Sequence, residues 1–401
     1  MHPSKNITGS KGRELEGKRI ALCVCGSVAA VKSPELAREL MRHGAEVVPV
    51  MSYAATGIIR PELMHWATGN AAVTKLTGDV EHLRLCGKHG GKVDLVIVAP
   101  ATANIIGKLA SGIDDSPLAT ILTTALGSSI PIIIAPAMHL SISDNPVVRD
   151  NIKRLNALGV EFVEPAVSEG KAKMADINTI AALAMRMLYK KDLKGKKVLV
   201  TTGATREYID DMRFISNPSS GRMGVELAKE AYLRGADVLL LYGHVDVELP
   251  SCVRSRHAET TEDMHKAVIA DIRGKDIVVL AAAPADFAPE RKKGKISSDA
   301  TLQLTLHPVP KISDAIKKFT KSAKLILFKA ESHLKESELK RIALRKLRAC
   351  DADMIVANDV GKRGVGFVSE LNEVLLIKPD GSVKKMRGKK SEIAKLVFDS
   401  L

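Results

Sequence analysis

Aromatic residues are scarce in this 401-residue chain, making up only 3% of it. Its cores must then be filled by Ala, Val, Ile and Leu, as in buried parallel sheets. The scarcity also removes the stacking surfaces that readers of single-stranded nucleic acid combine with basic grooves. The formal net charge of +14 therefore points to small polyanionic metabolites and away from nucleic acid. Cysteine is rare and odd in number: Cys23, Cys25, Cys86, Cys252 and Cys350. The wide spacing excludes a disulfide framework and implies a reducing compartment. Cys23 and Cys25 point the same way on an expected strand. Two thiols are too few for a structural zinc site, so they read as small buried hydrophobes. No apolar run reaches membrane-spanning length, and MHPSKNITGSKGRELEG lacks the apolar stretch of a signal peptide. The expectation is a cytoplasmic protein without a membrane partner, whose residues 1–15 form a mobile tail. No G-x-G-x-x-G with a downstream acid is present, which disfavours a nicotinamide oxidoreductase.

What is present is a repeated α/β pattern. EGKRIALCVCGS from Glu16 and KGKKVLVTTGAT from Lys194 each give a basic lead-in, an apolar strand and a small-residue turn. After the first turn, SPELARELMRHG predicts a helix with Ser33 as N-cap, Pro34 in its first turn and Gly44 as its stop. Leu36, Ala37, Leu40 and Met41 share its buried face. Further buried strands are expected at DLVIVAP, PIIIAP, ADVLLLYG, DIVVLAAAP, KLILFKAE and ADMIVAND. Continuous apolar runs alternating with helices predict two Rossmann-like parallel-sheet domains, 16–190 and 191–401. The boundary falls in the lysine-rich LYKKDLKGKK. The basic half is the second: residues 1–190 hold 21 Lys+Arg against 17 Asp+Glu, and the rest 39 against 29.

The most informative segment is TTGATREYIDDMRFISNPSSGRMG, Thr201 to Gly224. It joins a strand to an apolar-periodic helix through small and hydroxylated residues, the composition of a phosphate cradle. It is too long for a dinucleotide fingerprint, so something larger than a pyrophosphate is expected there. The polar segment APERKKGKISSDA at 288–300 reads either as a solvated loop or as a mobile basic loop closing over a phosphorylated ligand.

The R-x-I-S-N-x-S-S-G-x-M-G run from Arg213 to Gly224 resembles the phosphopantothenate–cysteine ligases. Residues 16–188 resemble the flavin-dependent phosphopantothenoylcysteine decarboxylases, so the chain resembles the fused family of coenzyme A synthesis in an archaeal-like version. For the second half the resemblance implies an acyl-nucleotidylate made from phosphopantothenate and CTP (or ATP) with Mg²⁺, then opened by cysteine. It implies catalytic roles for Asn217 and Lys295. It assigns substrate contacts to Arg213, Ser219, Ser220 and Gly221. Nucleotide contacts fall on Gly203, Thr205, Asp286, Lys295, Pro310, Lys311, Ile312, Phe328 and Lys346, with Arg348 standing in for a further lysine. Asn358 and Asp359 read either as functional strand-end residues or as a turn.

For the first half the resemblance implies FMN, which oxidises the substrate thiol so that the neighbouring carboxylate can leave. Gly26, Ser27, Ser52, Thr102 and Asn104 match cofactor-contacting positions, and His82 matches a catalytic histidine. Met138 and His139 stand in the substrate motif, where the family has asparagine and this chain has histidine. The flap aligns with VSEGKAKMADINTI, without the cysteine that bacterial relatives use as proton donor. Lys171 or Lys173 is the candidate replacement; otherwise the first half stops at an enethiol or only binds flavin. The resemblance also implies a homo-oligomer, trimeric through the first halves and dimeric through the second.

Overall fold

A computed structural model describes residues 2–88, 92–297, 301–320, 322–361, 364, 366 and 369–401. The chain divides into two units, 1–190 and 191–401.

In the first unit the strands are β1 (Arg19–Val24), β2 (Glu46–Met51), β3 (Leu95–Ala101), β4 (Ile132–Pro136) and β6 (Glu161–Phe162), with the two-residue β5 (Met138–His139) between the last two. Among the described residues they form a five-stranded sheet in the order β2-β1-β3-β4-β6, parallel throughout. Ignoring β5, this is the 2-1-3-4-5 order of flavodoxin-like folds, whose chain reverses direction between β1 and β3. Helices α1 (Ser33–Arg42), α2 (Tyr53–Thr56), α3 (Pro61–Thr68), α4 (Glu81–Cys86), α5 (Ala103–Ser111) and α6 (Pro117–Gly127) fill the connections. Helices α7 (Leu140–Ser143), α8 (Pro146–Ala157) and α9 (Ile177–Leu188) follow. A hairpin of β7 (Ala166–Ser168) and β8 (Lys171–Lys173) pairs through β8 with β5. Leu36, Ala37, Leu40 and Met41 are buried, as the period of α1 requires. Ser33 is its first residue and not its cap; the hydroxyl donates instead to Ala99 O at 2.9 Å.

The N-terminus differs from the expected mobile tail. Leu15 is fully buried, and Glu14 meets His43 at 2.7 Å. The Gly9 and Lys11 amides donate to Met41 and Arg42 carbonyls, while Ser4 donates to the Trp66 carbonyl. The segment closes the C-terminal ends of α1 and α3, and those carbonyls need donors that water would otherwise supply.

The second unit begins with β9 (Lys197–Thr202), the hairpin β10 (Arg206–Tyr208) and β11 (Phe214–Ser216), α10 (Arg222–Leu233), β12 (Asp237–Tyr242) and β13 (Arg254–His257). It continues through α11 (Thr261–Asp271), β14 (Ile277–Leu280), the ribbon β15 (Phe287–Pro289) and β16 (Leu306–Pro308), α12 (Ile312–Phe319) and β17 (Lys324–Glu331). It ends with α13 (Glu336–Ala349), β18 (Met354–Asp359), β19 (Leu371–Ile377), β20 (Val383–Lys389) and α14 (Lys390–Asp399). The main sheet runs β13-β12-β9-β14-β17-β18-β19-β20 among the described residues. Its first six strands are parallel in the Rossmann order 3-2-1-4-5-6, and the last two add antiparallel. Val198, Val200 and Leu240 pack on one face with Val225 and Ala228 of α10 and Ile393 and Ala394 of α14. Leu199, Leu239 and Leu241 pack on the other with Met264 of α11, Ile316 of α12 and Ala343 of α13. No helix among the described residues is long and apolar enough to cross a membrane.

Candidate functional sites

In the second unit a cleft of about 750 Å³ opens at the C-terminal ends of β9, β14 and β17. This is where strand order reverses between β9 and β14, the usual ligand position of such sheets. Asn217, Ser219, Ser220, Gly221, Asp286, Pro310, Lys311, Ile312, Phe328 and Lys346 all line it. Residues spread over 130 positions of sequence thus reach one cavity. Asn217 donates through Nδ2 to the carbonyls of Ala283 (3.2 Å) and Pro284 (3.0 Å), which leaves Oδ1 as its acceptor end. Ser219 and Ser220 are buried just ahead of α10, whose N-cap is Gly221. Lys346 pairs with Asp314 of α12 at 2.8 Å. Along α13, Ile342, Arg345, Lys346 and Ala349 face the cleft at helical spacing, while Leu339, Ala343 and Leu347 face the core. Arg345, and not Arg348, is thus the second cation of this wall.

Four expected ligand residues stand outside the cleft lining. Thr205 is fully buried, accepts from the Ala285 amide at 2.9 Å and meets the Thr261 hydroxyl at 2.8 Å. It positions the Ala283–Asp286 wall from behind. Gly203 has φ +80°, and a Cβ there would strike the His244 carbonyl, so backbone packing accounts for it. Arg213 is committed to Asp210, through Nε at 2.9 Å and Nη2 at 2.6 Å, and to the Ile296 carbonyl at 2.6 Å. The Asp210 carboxyl, fully buried, is held far below the usual carboxylate range by that guanidinium and by the amides of Met212, Ile296 and Arg213. Lys295 is exposed on a loop that the same residues fasten. Gly294 N donates to Asp211 at 2.8 Å, Ile296 N to Asp210 at 3.1 Å and Lys292 N to Ile209 O at 2.9 Å. Residues 291–296 are therefore pinned to the β10–β11 turn and do not hang free; Ser298, Asp299 and Ala300 lie outside the described residues. Asp359 accepts from His333 N and Gly361 N at 2.9 Å, the bonds of a structural turn, whereas Asn358 lines the cleft.

The sequence reading missed Arg222, Asn372 and Lys390, which line the same cleft. Lys390 is 4% exposed. Burial, then the nearby Arg222 charge, push its ammonium down to about 8. Nothing in KKSE marks this lysine, because its placement depends on α14 packing against α10.

In the first unit, the expected cofactor residues gather at the C-terminal ends of parallel strands. Gly26 and Ser27 follow β1, Ser52 follows β2, and Thr102 and Asn104 follow β3. Ser27 and Ser52 accept from Ala29 N and Ala55 N, capping the turns that begin there. A Cβ on Gly26 would collide with Ala54, so the β1 and β2 ends approach closely. His82 lies on α4, with a buried Nδ1 that has no hydrogen-bond partner. Such an atom is costly unless a ligand completes it. Beyond β4, His139 pairs directly with Lys171, and Met138 with Ala172. The expected substrate motif and the expected flap are thus joined in one small sheet. Lys173 is engaged by Glu169 at 2.7 Å, leaving Lys171 beside His139. Cys23, Cys25 and Cys86 are buried together. Burial pushes the Cys25 and Cys86 thiols up to about 12, so they stay protonated near neutrality.

Comparison with known proteins matches both units. Residues 193–401 match the family described as DNA/pantothenate metabolism flavoprotein C-terminal domain, and residues 8–189 match the Flavoprotein family. The chain is 48% identical to the coenzyme A biosynthesis bifunctional protein CoaBC of Thermococcus kodakarensis, over 100% of this chain and 99% of that one. It is 35% identical to the same-named protein of Methanocaldococcus jannaschii, over 100% and 97%. A crystal structure of the C-terminal domain of a CoaBC protein is 30% identical, with a TM-score of 0.44, covering 53% of this chain and 96% of that one.

Proposed function

The chain belongs to the CoaBC family of bifunctional coenzyme A biosynthesis proteins, and from that premise we propose how its two units divide the work. The second unit joins phosphopantothenate to cysteine, with CTP as the nucleotide. The substrate carboxylate attacks the α-phosphorus and pyrophosphate leaves. The cysteine amine then displaces the nucleoside monophosphate, and an amide forms. The observation that carries this reading is the single cleft that collects Asn217, Ser219–Gly221, Asp286, Lys311 and Lys346. Lys311, Arg345 and Lys346 line one wall as counter-charges for a triphosphate. Asn217 is braced by two carbonyls, so its Oδ1 has a fixed direction and can accept from an N–H of the incoming amine. Mg²⁺ would arrive on the triphosphate oxygens, with Asp286 and Glu331 as carboxylates in the cleft. Lys295 comes from the pinned loop as a further cation.

The first unit removes the carboxylate from the ligation product. Its strand-end turns and the orphaned His82 Nδ1 fit a flavin at the β1/β3 reversal. Gly26, Ser27, Ser52, Thr102 and Asn104 would hold FMN. When bound, FMN supplies the two-electron redox chemistry that the protein's own side chains lack. His82 takes the proton of the substrate thiol. His139 and Lys171 hold the departing carboxylate, and Lys171 returns a proton. Exposed Tyr53, Val28 and Trp66 in this unit, and Met212, Phe214 and Phe287 in the other, suit a homo-oligomer working in the cytoplasm.

The test is to supply the purified protein with phosphopantothenate, cysteine and CTP or ATP, and weigh the products. Phosphopantetheine is expected, with CTP preferred. Release of a product two hydrogens lighter would sink the reductive step. Phosphopantothenoylcysteine alone, from flavin-loaded protein, would mean a non-catalytic first unit.

A further inference from the structure

The wall of the cleft that leads to Asp286 prolongs the pairing of β14 with β9. Ala281 N donates to Thr201 O at 3.2 Å, and Ala283 N to Gly203 O at 2.8 Å. The next amide in this alternation, Ala285 N, donates at 2.9 Å to the Thr205 hydroxyl, a side chain standing where a strand carbonyl would come next. The Thr205 carbonyl itself accepts from Ser216 Oγ at 2.7 Å, because the chain here turns into β10. The carbonyl of the same peptide, Pro284 O, accepts from Asn217 Nδ2 at 3.0 Å. Carbonyl and amide of a trans peptide point in opposite directions. Asn217 therefore holds this peptide from the cleft and Thr205 holds it from behind.

Behind Thr205 the chain of contacts continues. The Thr205 hydroxyl lies 2.8 Å from that of Thr261, which donates to Glu207 Oε1 at 2.8 Å. Glu207 Oε1 also accepts at 2.9 Å from Thr261 N, the first amide of α11. Thr205, Thr261 and Glu207 are all buried. The proton directions follow from the two ends. A carboxylate only accepts, so the single hydroxyl proton of Thr261 goes to Glu207; the Ala285 carbonyl, at 3.3 Å, is the poorer partner. Thr261 is then the acceptor for Thr205, and Thr205 the acceptor for Ala285 N. Every donor from Asn217 Nδ2 to Thr261 Oγ1 thus points toward Glu207. Links in such a chain strengthen one another, most of all when the last acceptor is charged and shielded from water.

We propose that Glu207 is a positioning residue for the ligation, acting on Asn217 through Thr261, Thr205 and the Pro284–Ala285 peptide. The proposal rests on the function given above, in which Asn217 Oδ1 accepts from the attacking amine. The chain fixes the plane of the Asn217 amide. The buried anion at its far end draws the Asn217 N–H toward Pro284 O, which leaves more negative charge on Oδ1. Glu207 lies behind the cleft wall and touches no reacting atom.

The test is a double-variant cycle on the full chain. Amide formation from phosphopantothenate, cysteine and CTP is followed by mass spectrometry. Thr205→Val alone is expected to lower kcat by about 10- to 100-fold. Glu207→Gln, which keeps the shape and removes the charge, should lower it by about 10-fold. In both, KM for phosphopantothenate should stay nearly unchanged. Thr205→Ser, which keeps the hydroxyl, should recover most of the rate. In an Asn217→Ala background, Thr205→Val and Glu207→Gln should each lower the rate by at most about twofold more, because the residue they act through is gone. Equal fold losses in the two backgrounds would mean general support of the wall and overturn the proposal. Full kcat in the single variants, or in Asn217→Ala itself, overturns it too. Glu207→Gln, being nearly isosteric, carries the cycle if Thr205→Val fails to fold. A wild type that forms no amide overturns the ligase reading and this proposal with it. A wild type that forms the amide without the coupling overturns this proposal alone.

Discussion

In the proposed reaction Asn217 divides its amide between structure and chemistry. Its Nδ2 is fixed by the Ala283 and Pro284 carbonyls, and only Oδ1 is left for a substrate. Asn217→Asp replaces the donor by a second acceptor facing two carbonyls, so it should displace the 283–286 wall as well as alter the ligand contact. Amide formation is expected to fall by about 10²- to 10³-fold, while decarboxylation of supplied phosphopantothenoylcysteine is unchanged. Product analysis by mass spectrometry reads both. His82→Asn should give the complementary result: amide formation intact and decarboxylation down by on the order of 10²- to 10⁴-fold. Placement was legible in the sequence where a type has few uses, as in the Ser219–Ser220–Gly221 turn, which lines the cleft. Direction was not legible. Arg213 and Thr205 have the right chemistry for ligands, yet one turns to Asp210 and the other to Ala285 N. Lys390 gave no local signal, because two helices distant in sequence create its environment.

At the scale of elements, the loop bearing Lys295 is governed by a latch. Asp210 accepts from both the Arg213 side chain and Ile296 N, and Asp211 takes Arg291 and Gly294 N. Asp210→Asn weakens the charge-assisted part of that latch. Ligase kcat is expected to drop by about 10- to 100-fold, with cleft ligands intact and binding of phosphopantothenate nearly unchanged. The latch also has a pH signature. Because Arg213 and the backbone amides hold the Asp210 carboxyl below its ordinary range, its contribution is complete above an unfolded value near ~3.9. It declines as pH falls from there through the lower native value. Urea midpoints of the wild type should therefore fall below about pH 4 more steeply than those of Asp210→Asn. Equal slopes would show that the latch does not couple to folding. The strands and helices themselves were readable from apolar runs and 3.6-residue periods. The latch was not, since it joins turns some 80 residues apart through backbone amides that any residue could supply.

Over the whole molecule, each unit has one large sheet of its own strand order packed against its own helices. The alternation of strand and helix announced both. It did not announce β19 and β20 added antiparallel, whose polar face reads like a loop. Nor did it show that the N-terminal segment is docked. In the second unit, fully buried Arg234 binds Glu230 at 2.6 Å, Asp192 at 3.0 Å and Asp399 at 2.7 Å, fastening its first and last residues together. Arg234→Ala leaves the buried Glu230 carboxylate without its cation. It should destabilise this unit by about 3–5 kcal/mol, seen as one of two thermal transitions moving while the other stays. Cys252, only partly covered, is the most accessible of five thiols whose other four are buried. An enzyme that takes in cysteine and gives out a thiol is bathed in reagents for disulfide exchange, and exchange requires an accessible thiolate. Withholding its own sulfur keeps the protein from becoming a mixed disulfide with what it handles. After incubation with excess cystine its intact mass should rise by at most one cysteine adduct.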